Sequence, residues 1–166
     1  MEFHKQYCKE QGTKVIMVTS SMPGEGKSTI TVNLALSLAQ KDYKVILIDG
    51  DLRHPSLAKT LGVGKDYYGF GFHDVITEEA SLEDALISYK DYDIRMLLGS
   101  SAVDTTESLL SSARAKAVIE EAAAMADYVI IDTPPAGMLA DASIIAQYAD
   151  SAVFVVHQDG VRKDRV

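Results

Sequence analysis

The chain has 166 residues, 47% of them hydrophobic and 24% charged, with a formal net charge of −8, which predicts one domain with a substantial core. This acidic balance argues against a nucleic-acid partner, because a protein that follows a nucleic-acid backbone needs a basic stripe. The single cysteine, Cys8, excludes an internal disulfide, and no apolar window could span a bilayer, so we expect a cytoplasmic protein whose membrane association, if any, comes through a partner.

The first predicted elements are a strand, a loop and a helix. Val15 to Thr19 is a run of apolar and β-branched residues, which is typical of a buried strand. The chain then turns through Pro23, Gly24 and Gly26 and enters a helical pattern that we place at 28–40. This pattern is apolar on most sides, so we expect the helix to be sandwiched against a sheet.

The loop fits the phosphate-binding pattern G-x-x-x-x-G-K-[ST], with Ser21 in place of the first glycine. Backbone N–H groups of such a loop, together with the positive end of the following helix, bind anions. Lys27 is predicted to reach the β- and γ-phosphates, and Ser28 to place a hydroxyl on Mg²⁺. The predicted nucleotide-binding residues are Pro23, Gly24, Glu25, Gly26, Lys27, Ser28 and Thr29. The alternative, a glycine-rich turn before an ordinary helix, leaves Lys27 without a role.

Further along, strands and helices alternate. The predicted strands are Val45–Ile48, Ile94–Leu98, Tyr128–Ile131 and Ala152–Val156. The predicted helices are Ser56–Leu61, one beginning at His73, one beginning near Ser81 with a capping box, Glu107–Met125 and Asp141–Tyr148, with a glycine-rich loop at Gly62–Gly71. Continuous apolar strands separated by helices predict an α/β fold with a mainly parallel sheet.

Three predicted strands end in residues that carry chemistry, and the carboxyl ends of parallel strands share one edge. The first leads into the phosphate loop, the second into Asp49 and Asp51, and another into Asp132. Mg²⁺ takes few protein ligands besides phosphate oxygens, so we expect Ser28 to bind it directly, with Asp51 and Asp132 holding its waters. Asp49 remains as the group that accepts a proton from the attacking nucleophile. A structural role is the alternative for any single aspartate.

Other polar and aromatic residues leave their roles open. Arg53 can neutralise phosphate charge, support its loop or form a surface ion pair. Tyr67 and Tyr68 can be phosphate acceptors or can pin their loop to the body, whereas Tyr128 and Tyr148 are predicted to pack. The histidines (His4, His54, His73 and His157) lack metal-ligand spacing, and we assign them no chemistry.

Three runs, VTSSMPGEGKST, VILIDGDLRHPSL and DYVIIDTPP, strongly resemble the Walker A, A′ and B motifs of the bacterial (BY-type) tyrosine kinases of capsule and exopolysaccharide synthesis. The resemblance implies a P-loop fold of the ParA and MinD type, with helices on both faces of the sheet, that uses ATP and Mg²⁺. It implies that Lys27, Asp49 and Asp51 are catalytic and that Ser28, Asp51 and Asp132 serve the metal. It also implies protein tyrosine substrates, a membrane polysaccharide co-polymerase as activator, and a homo-oligomer.

The chain departs from this family in three places. Residues 1–12 contain no E-x-x-R-x-x-R motif, the chain stops without a tyrosine-rich tail, and Thr105-Thr106-Glu107 stands where Asn-Pro is common. We therefore expect residues 1–166 to form one nucleotide-binding kinase domain, trimmed at both ends. Two other functions remain open. One is a MinD or ParA type ATPase switch, although the P-loop lysine that contacts the partner subunit in that group is replaced by Met22 here. The other is a regulatory module that holds a nucleotide with little turnover.

Overall fold

The computed structural model describes residues 12, 14–63, 69–99, 102–137 and 140–157, and these form six strands and seven helices. The strands are β1 (Lys14–Ser20), β2 (Val45–Asp49), β3 (Ile87–Ser88), β4 (Ile94–Leu97), β5 (Tyr128–Asp132) and β6 (Ser151–Val155). The helices are α1 (Lys27–Ala39), α2 (Leu57–Thr60), α3 (Phe72–Ile76), α4 (Leu82–Ala85), α5 (Thr106–Leu110), α6 (Ala113–Met125) and α7 (Ala140–Ala146).

The strands form one sheet in the order β3-β4-β2-β5-β1-β6. Neighbouring strands are parallel except for the short β3, which runs antiparallel to β4. All five residues of β2 are buried, as expected for a strand covered on both faces. The predicted mainly parallel sheet is therefore confirmed, and the carboxyl ends of β1, β2 and β5 meet at one edge.

Helices cover both faces of the sheet, as predicted. Alternate residues of β2 belong to two separate apolar clusters, with Ile46 and Ile48 in one and Val45 and Leu47 in the other. The first cluster contains apolar residues of α6 and α7. The second contains Ala35 of α1 and Leu57 of α2. Side chains of successive strand residues point to opposite faces, so the continuous apolar run of β2 serves both layers.

Helix α1 packs against the sheet, as predicted, and its partly buried apolar side chains contact the second of these apolar clusters. Its buried residues form a single stripe at four-residue spacing: Lys27, Thr31, Ala35 and Ala39. Ile30 lies away from this stripe, and 42% of it is exposed. One face of α1 therefore packs on the sheet, and two of its four buried residues are polar.

The predicted helix Glu107–Met125 is wrong as one element, because the chain forms α5 and α6 with a break at Ser111 and Ser112. The hydroxyl of Ser112 accepts a hydrogen bond from the backbone N–H of Ala115 at 3.1 Å. A serine in this position caps the start of a new helix. The alanine-rich composition concealed this internal start signal.

The helix predicted near Ser81 begins as expected but ends early. Ser81 Oγ accepts a hydrogen bond from the N–H of Asp84 at 3.1 Å, as a capping serine does. After four residues the chain leaves the helix and forms β3, which pairs with β4. Pairing along the sheet edge thus replaces the helix that local sequence favours.

Tyr128 and Tyr148 pack, as predicted. The rings of Tyr43 and Tyr128 meet edge to face, with centroids 5.1 Å apart, and the hydroxyl of Tyr148 donates to the carbonyl oxygen of Leu110 at 2.8 Å. Tyr67 and Tyr68, in the predicted loop Gly62–Gly71, lie outside the described residues. None of the helices described is long and apolar enough to cross a bilayer.

Candidate active site

The loop between β1 and α1 has the backbone shape that its glycines suggest. Gly24 and Gly26 have φ angles of 83° and 86°, in the left-handed region that favours glycine. Gly26 is also the residue that caps α1, and it offers no side chain to the first N–H groups of that helix. Those N–H groups remain available to an anion.

Glu25 stabilises the loop from within. One carboxylate oxygen accepts a hydrogen bond from the N–H of Met22 at 2.8 Å, and the other accepts one from the N–H of His157 at 3.3 Å. The Met22 bond is the main reason that the pKa of Glu25 lies below its usual value. The side chain of Glu25 is therefore used to hold the loop rather than to line the cavity described below.

Asp132, at the end of β5, accepts hydrogen bonds from three side chains of α1. Lys27 Nζ lies 2.9 Å from Oδ1, Thr31 Oγ1 lies 2.8 Å from the same oxygen, and Ser28 Oγ lies 2.9 Å from Oδ2. Asp132 is fully buried, and buried carboxylates of this kind need such partners. Sequence reasoning missed Thr31, although it follows Lys27 by one helical turn.

Asp49, at the end of β2, lies beside Asp132 in the sheet register and is also fully buried. Its Oδ2 accepts hydrogen bonds from the N–H groups of Ser56 and Leu57, each at 3.0 Å. Its Oδ1 is buried and has no hydrogen-bond partner among the described residues. Burial raises the pKa of Asp49 to about 7, and the nearby charges of Asp132 and Asp51 add to this rise.

Asp51 and Gly50 complete the turn after β2. Asp51 Oδ1 accepts a hydrogen bond from the N–H of His54 at 3.0 Å, and burial raises the pKa of Asp51. A Cβ at Gly50 would lie 2.8 Å from the carbonyl oxygen of Asp132, so the turn requires glycine there. Sequence reasoning did not identify this role, because the close approach joins two strands that are distant in the sequence.

A cavity of about 530 Å³ opens beside these groups, within the size range of small-molecule sites. Of the predicted site residues, those that line it are Pro23, Gly24, Gly26, Lys27, Ser28, Thr29 and Asp51. Residues that sequence reasoning did not place there are Ser20, His54, Ser56 and Pro135. Asp49 and Asp132 lie outside the lining, so the site has an outer layer facing the cavity and a buried layer behind it.

The residues present fit a nucleotide with Mg²⁺. The loop offers backbone N–H groups, Lys27 a cation, Ser28 a hydroxyl oxygen and Asp51 a carboxylate oxygen beside one cavity. Within the described residues no three His, Cys, Asp or Glu side chains converge on a metal position. Mg²⁺ commonly needs only one or two protein ligands, because phosphate and water oxygens complete its octahedron, so this donor set is sufficient.

Arg53, in the loop between β2 and α2, is not part of the cavity lining. Its Nε donates to Asp141 Oδ2 at 2.8 Å, and Thr106 Oγ1 lies 3.0 and 2.9 Å from the two oxygens of the same carboxylate. The hydrogen bond to Asp141 raises the pKa of Arg53 above its usual value. Among the three roles left open by the sequence, this geometry matches loop support.

The chain is similar to known proteins in sequence and in fold. The family described as AAA domain matches residues 13–161. Tyrosine-protein kinase YwqD of Bacillus subtilis (strain 168) is 36% identical over 152 residues, which are 92% of this chain and 63% of that protein. The crystal structure of the VpsO kinase domain is 34% identical, with a TM-score of 0.85, and the match covers 92% of this chain and 73% of that one.

A nucleotide-bound structure is also similar. The septum site-determining protein MinD of Pyrococcus horikoshii OT3, complexed with Mg-ADP, is 31% identical with a TM-score of 0.72. The match covers 87% of this chain and 58% of that one. The chain spans about 63% of the length of the curated kinase it matches.

Proposed function

This chain belongs to the AAA domain family and, within it, to the bacterial tyrosine kinases, and we propose that it is an ATP-dependent protein-tyrosine kinase of capsular or exopolysaccharide synthesis or export. The observation that carries the proposal is the layered site. Lys27 and Ser28 line the cavity while both hydrogen-bond to the buried Asp132. Behind them, one carboxylate oxygen of Asp49 has no hydrogen-bond partner in the part of the chain that the structure describes. This set suits phosphoryl transfer, where positioning and electrostatics supply most of the catalysis.

The residues that would hold the nucleotide are those of the glycine-rich loop and the first turn of α1. Backbone N–H groups of Gly24 to Thr29 and the ammonium of Lys27 would bind the phosphates, while Ser28 and Asp51 would serve Mg²⁺. When bound, Mg-ATP supplies a charge-neutralised γ-phosphoryl group. The hydrogen bonds to Asp132 orient Lys27 and Ser28 from behind, so little rotamer freedom remains to be lost on binding.

Asp49 is the proposed acceptor of the tyrosine hydroxyl proton. Its pKa, raised to about 7 by burial, is suited to a base that works near neutral pH. Asp49 lies behind the cavity lining, and its Oδ1 has no hydrogen-bond partner among the described residues, so this oxygen is the one available to accept a proton. Asp51, which does line the cavity, is the second carboxylate available for the proton.

We further propose that the protein acts at the inner face of the plasma membrane, where a membrane polysaccharide co-polymerase activates it. Its proposed substrates are protein tyrosines, and its proposed assembly is a homo-oligomer. These partners follow from the family resemblance. A MinD type ATPase switch is the second candidate, supported by the likeness to MinD with Mg-ADP. It is the weaker one, because the lysine that crosses to the partner subunit in that group is Met22 here.

The direct test is to incubate the protein with Mg-ATP and locate phosphate by mass spectrometry. Phosphotyrosine supports the kinase, and free phosphate alone supports the ATPase switch. Tight nucleotide binding without either product would support a regulatory module instead.

Lys27→Met is expected to abolish tyrosine phosphorylation, because it removes the cation that lines the cavity. Loss of one charge-stabilising group of this kind should cost about 10²- to 10³-fold in turnover. Lys41→Met is the matched control, since Lys41 is exposed just beyond α1 and should retain full activity. Circular dichroism checks that both variants fold; a folded Lys27→Met protein that still phosphorylates tyrosine would refute the phosphate assignment.

A further inference from the structure

Ser56 occupies the position of a helix cap but does not act as one. It precedes α2, where a serine hydroxyl commonly accepts a hydrogen bond from the helix N–H groups, yet its side chain makes no such bond. The N–H groups of Ser56 and Leu57 donate instead to Asp49 Oδ2. Since Asp49 caps this turn, the hydroxyl of Ser56 is released for another partner.

That partner is Ser28, whose Oγ lies 3.0 Å from Ser56 Oγ. A hydroxyl has one proton to donate, and Ser28 directs its proton to Asp132 Oδ2 at 2.9 Å. Ser56 must therefore be the donor in the bond between the two serines. The result is a directed chain of hydrogen bonds from Ser56 through Ser28 to Asp132, beside the cavity that Ser28 and Ser56 both line.

We propose that Ser56 is a positioning residue that orients the Ser28 hydroxyl for the magnesium ion of the bound nucleotide. The Ser28 hydroxyl donates its hydrogen bond to Asp132 and accepts one from Ser56 on one lone pair. Its second lone pair therefore points in a defined direction. Backbone bonds from the same residue and its neighbour tie this arrangement to Asp49. The proposal rests on the proposed nucleotide function and adds to it a residue to which the sequence assigned no role.

Ser56→Ala removes the hydroxyl but keeps the backbone N–H that bonds to Asp49. Loss of a group that orients a metal ligand commonly costs 10- to 100-fold in metal affinity. We expect Ser56→Ala to weaken the Mg²⁺-dependent part of ADP binding by about 10-fold and to weaken Mg²⁺-free ADP binding far less. Titration of a fluorescent ADP analogue at several Mg²⁺ concentrations, and again in EDTA, separates the two parts without measuring turnover.

Two variants sharpen the test. Ser56→Thr keeps a hydroxyl and should restore the Mg²⁺ dependence, while Ser37→Ala makes the same change at an exposed position of α1 and should have no effect. If the Mg²⁺ dependence is unchanged in Ser56→Ala, or if ADP affinity falls equally with and without Mg²⁺, the positioning role of Ser56 is refuted. The proposed nucleotide function would still stand in that case. If the unmodified protein binds no nucleotide, the proposed function itself fails.

Discussion

Two buried aspartates, Asp49 and Asp141, have opposite surroundings. Asp141, on α7, receives Arg53 Nε at 2.8 Å and the hydroxyl of Thr106 on both of its oxygens. Asp49 receives two backbone N–H groups on one oxygen and nothing from the described residues on the other. The side chains of both are almost completely shielded from solvent, at 0% and 1% exposure. Burial alone therefore does not distinguish a structural carboxylate from a functional one.

The charged partners make the difference. Asp141 faces a guanidinium that compensates its charge, whereas the charged groups that shift the pKa of Asp49 are the carboxylates of Asp132 and Asp51. A buried carboxylate without a cation is costly, and such groups concentrate at functional sites. We infer that Asp141 stabilises the loop of Arg53, while Asp49 is retained for chemistry despite its cost.

The largest expected effect that separates the two aspartates is on turnover. Asp49→Asn should lower tyrosine phosphorylation by about 10²- to 10⁴-fold, the usual contribution of a general base. Nucleotide affinity should be retained, because Asp49 does not line the cavity. Steady-state phosphorylation and fluorescent ADP titration measure the two quantities. An equal loss of nucleotide binding would identify Asp49 as a metal residue instead.

The next effect is on stability and concerns Asp141. Asp141→Ala should lower the free energy of unfolding by about 2–3 kcal/mol, because it removes the closer of the two acidic partners of Arg53 and the acceptor of the buried Thr106 hydroxyl. We place the loss below that of a fully buried pair, since 26% of the Arg53 side chain is exposed. Urea unfolding measures it. Wild-type stability in Asp141→Ala would mean that the ion pair is not structural.

A smaller effect of opposite sign is expected from Asp49→Asn above neutral pH. The pKa of Asp49 is raised from 3.8 to about 7 in the folded protein, so between these pH values the folded state holds a proton that the unfolded state has lost. The free energy of unfolding therefore falls as pH rises through this window. Asparagine keeps an acceptor for the two N–H groups and carries no charge.

At pH 8 we therefore expect Asp49→Asn to be more stable than the unmodified protein, because asparagine carries no charge at the buried position. The difference should shrink towards pH 4, where Asp49 is protonated in the folded state. Thermal unfolding of both proteins across this range gives the comparison. A pH-independent difference would show that the charge of Asp49 does not affect stability.

Much of this arrangement could be read from local sequence. The continuous apolar runs of β1, β2 and β5 predict buried parallel strands, and such strands end at a common edge, which places Lys27, Asp49 and Asp132 near one another. The glycine-rich loop was identifiable because its backbone requires glycine at Gly24 and Gly26. These inferences need only residue type and spacing along the chain.

Other features could not be read in this way. The break between α5 and α6 depends on one capping serine, and β3 forms because β4 is there to pair with it. Two hydrogen bonds join residues that are far apart in the sequence: Arg53 to Asp141, 88 positions apart, and Ser56 to Ser28, 28 positions apart. No local pattern encodes such partners.

Apart from β3 and the break between α5 and α6, the sequence by itself determined the order of strands and helices, the phosphate-binding loop and the set of carboxylates at the strand ends, because hydrophobic runs and glycine positions act over a few residues. Tertiary structure alone decided which carboxylate has a cation and which lacks one, since burial and partner geometry arise only when distant segments pack. In this distribution Asp132 pairs with Lys27 and Asp141 pairs with Arg53, whereas one oxygen of Asp49 has no hydrogen-bond partner among the residues described.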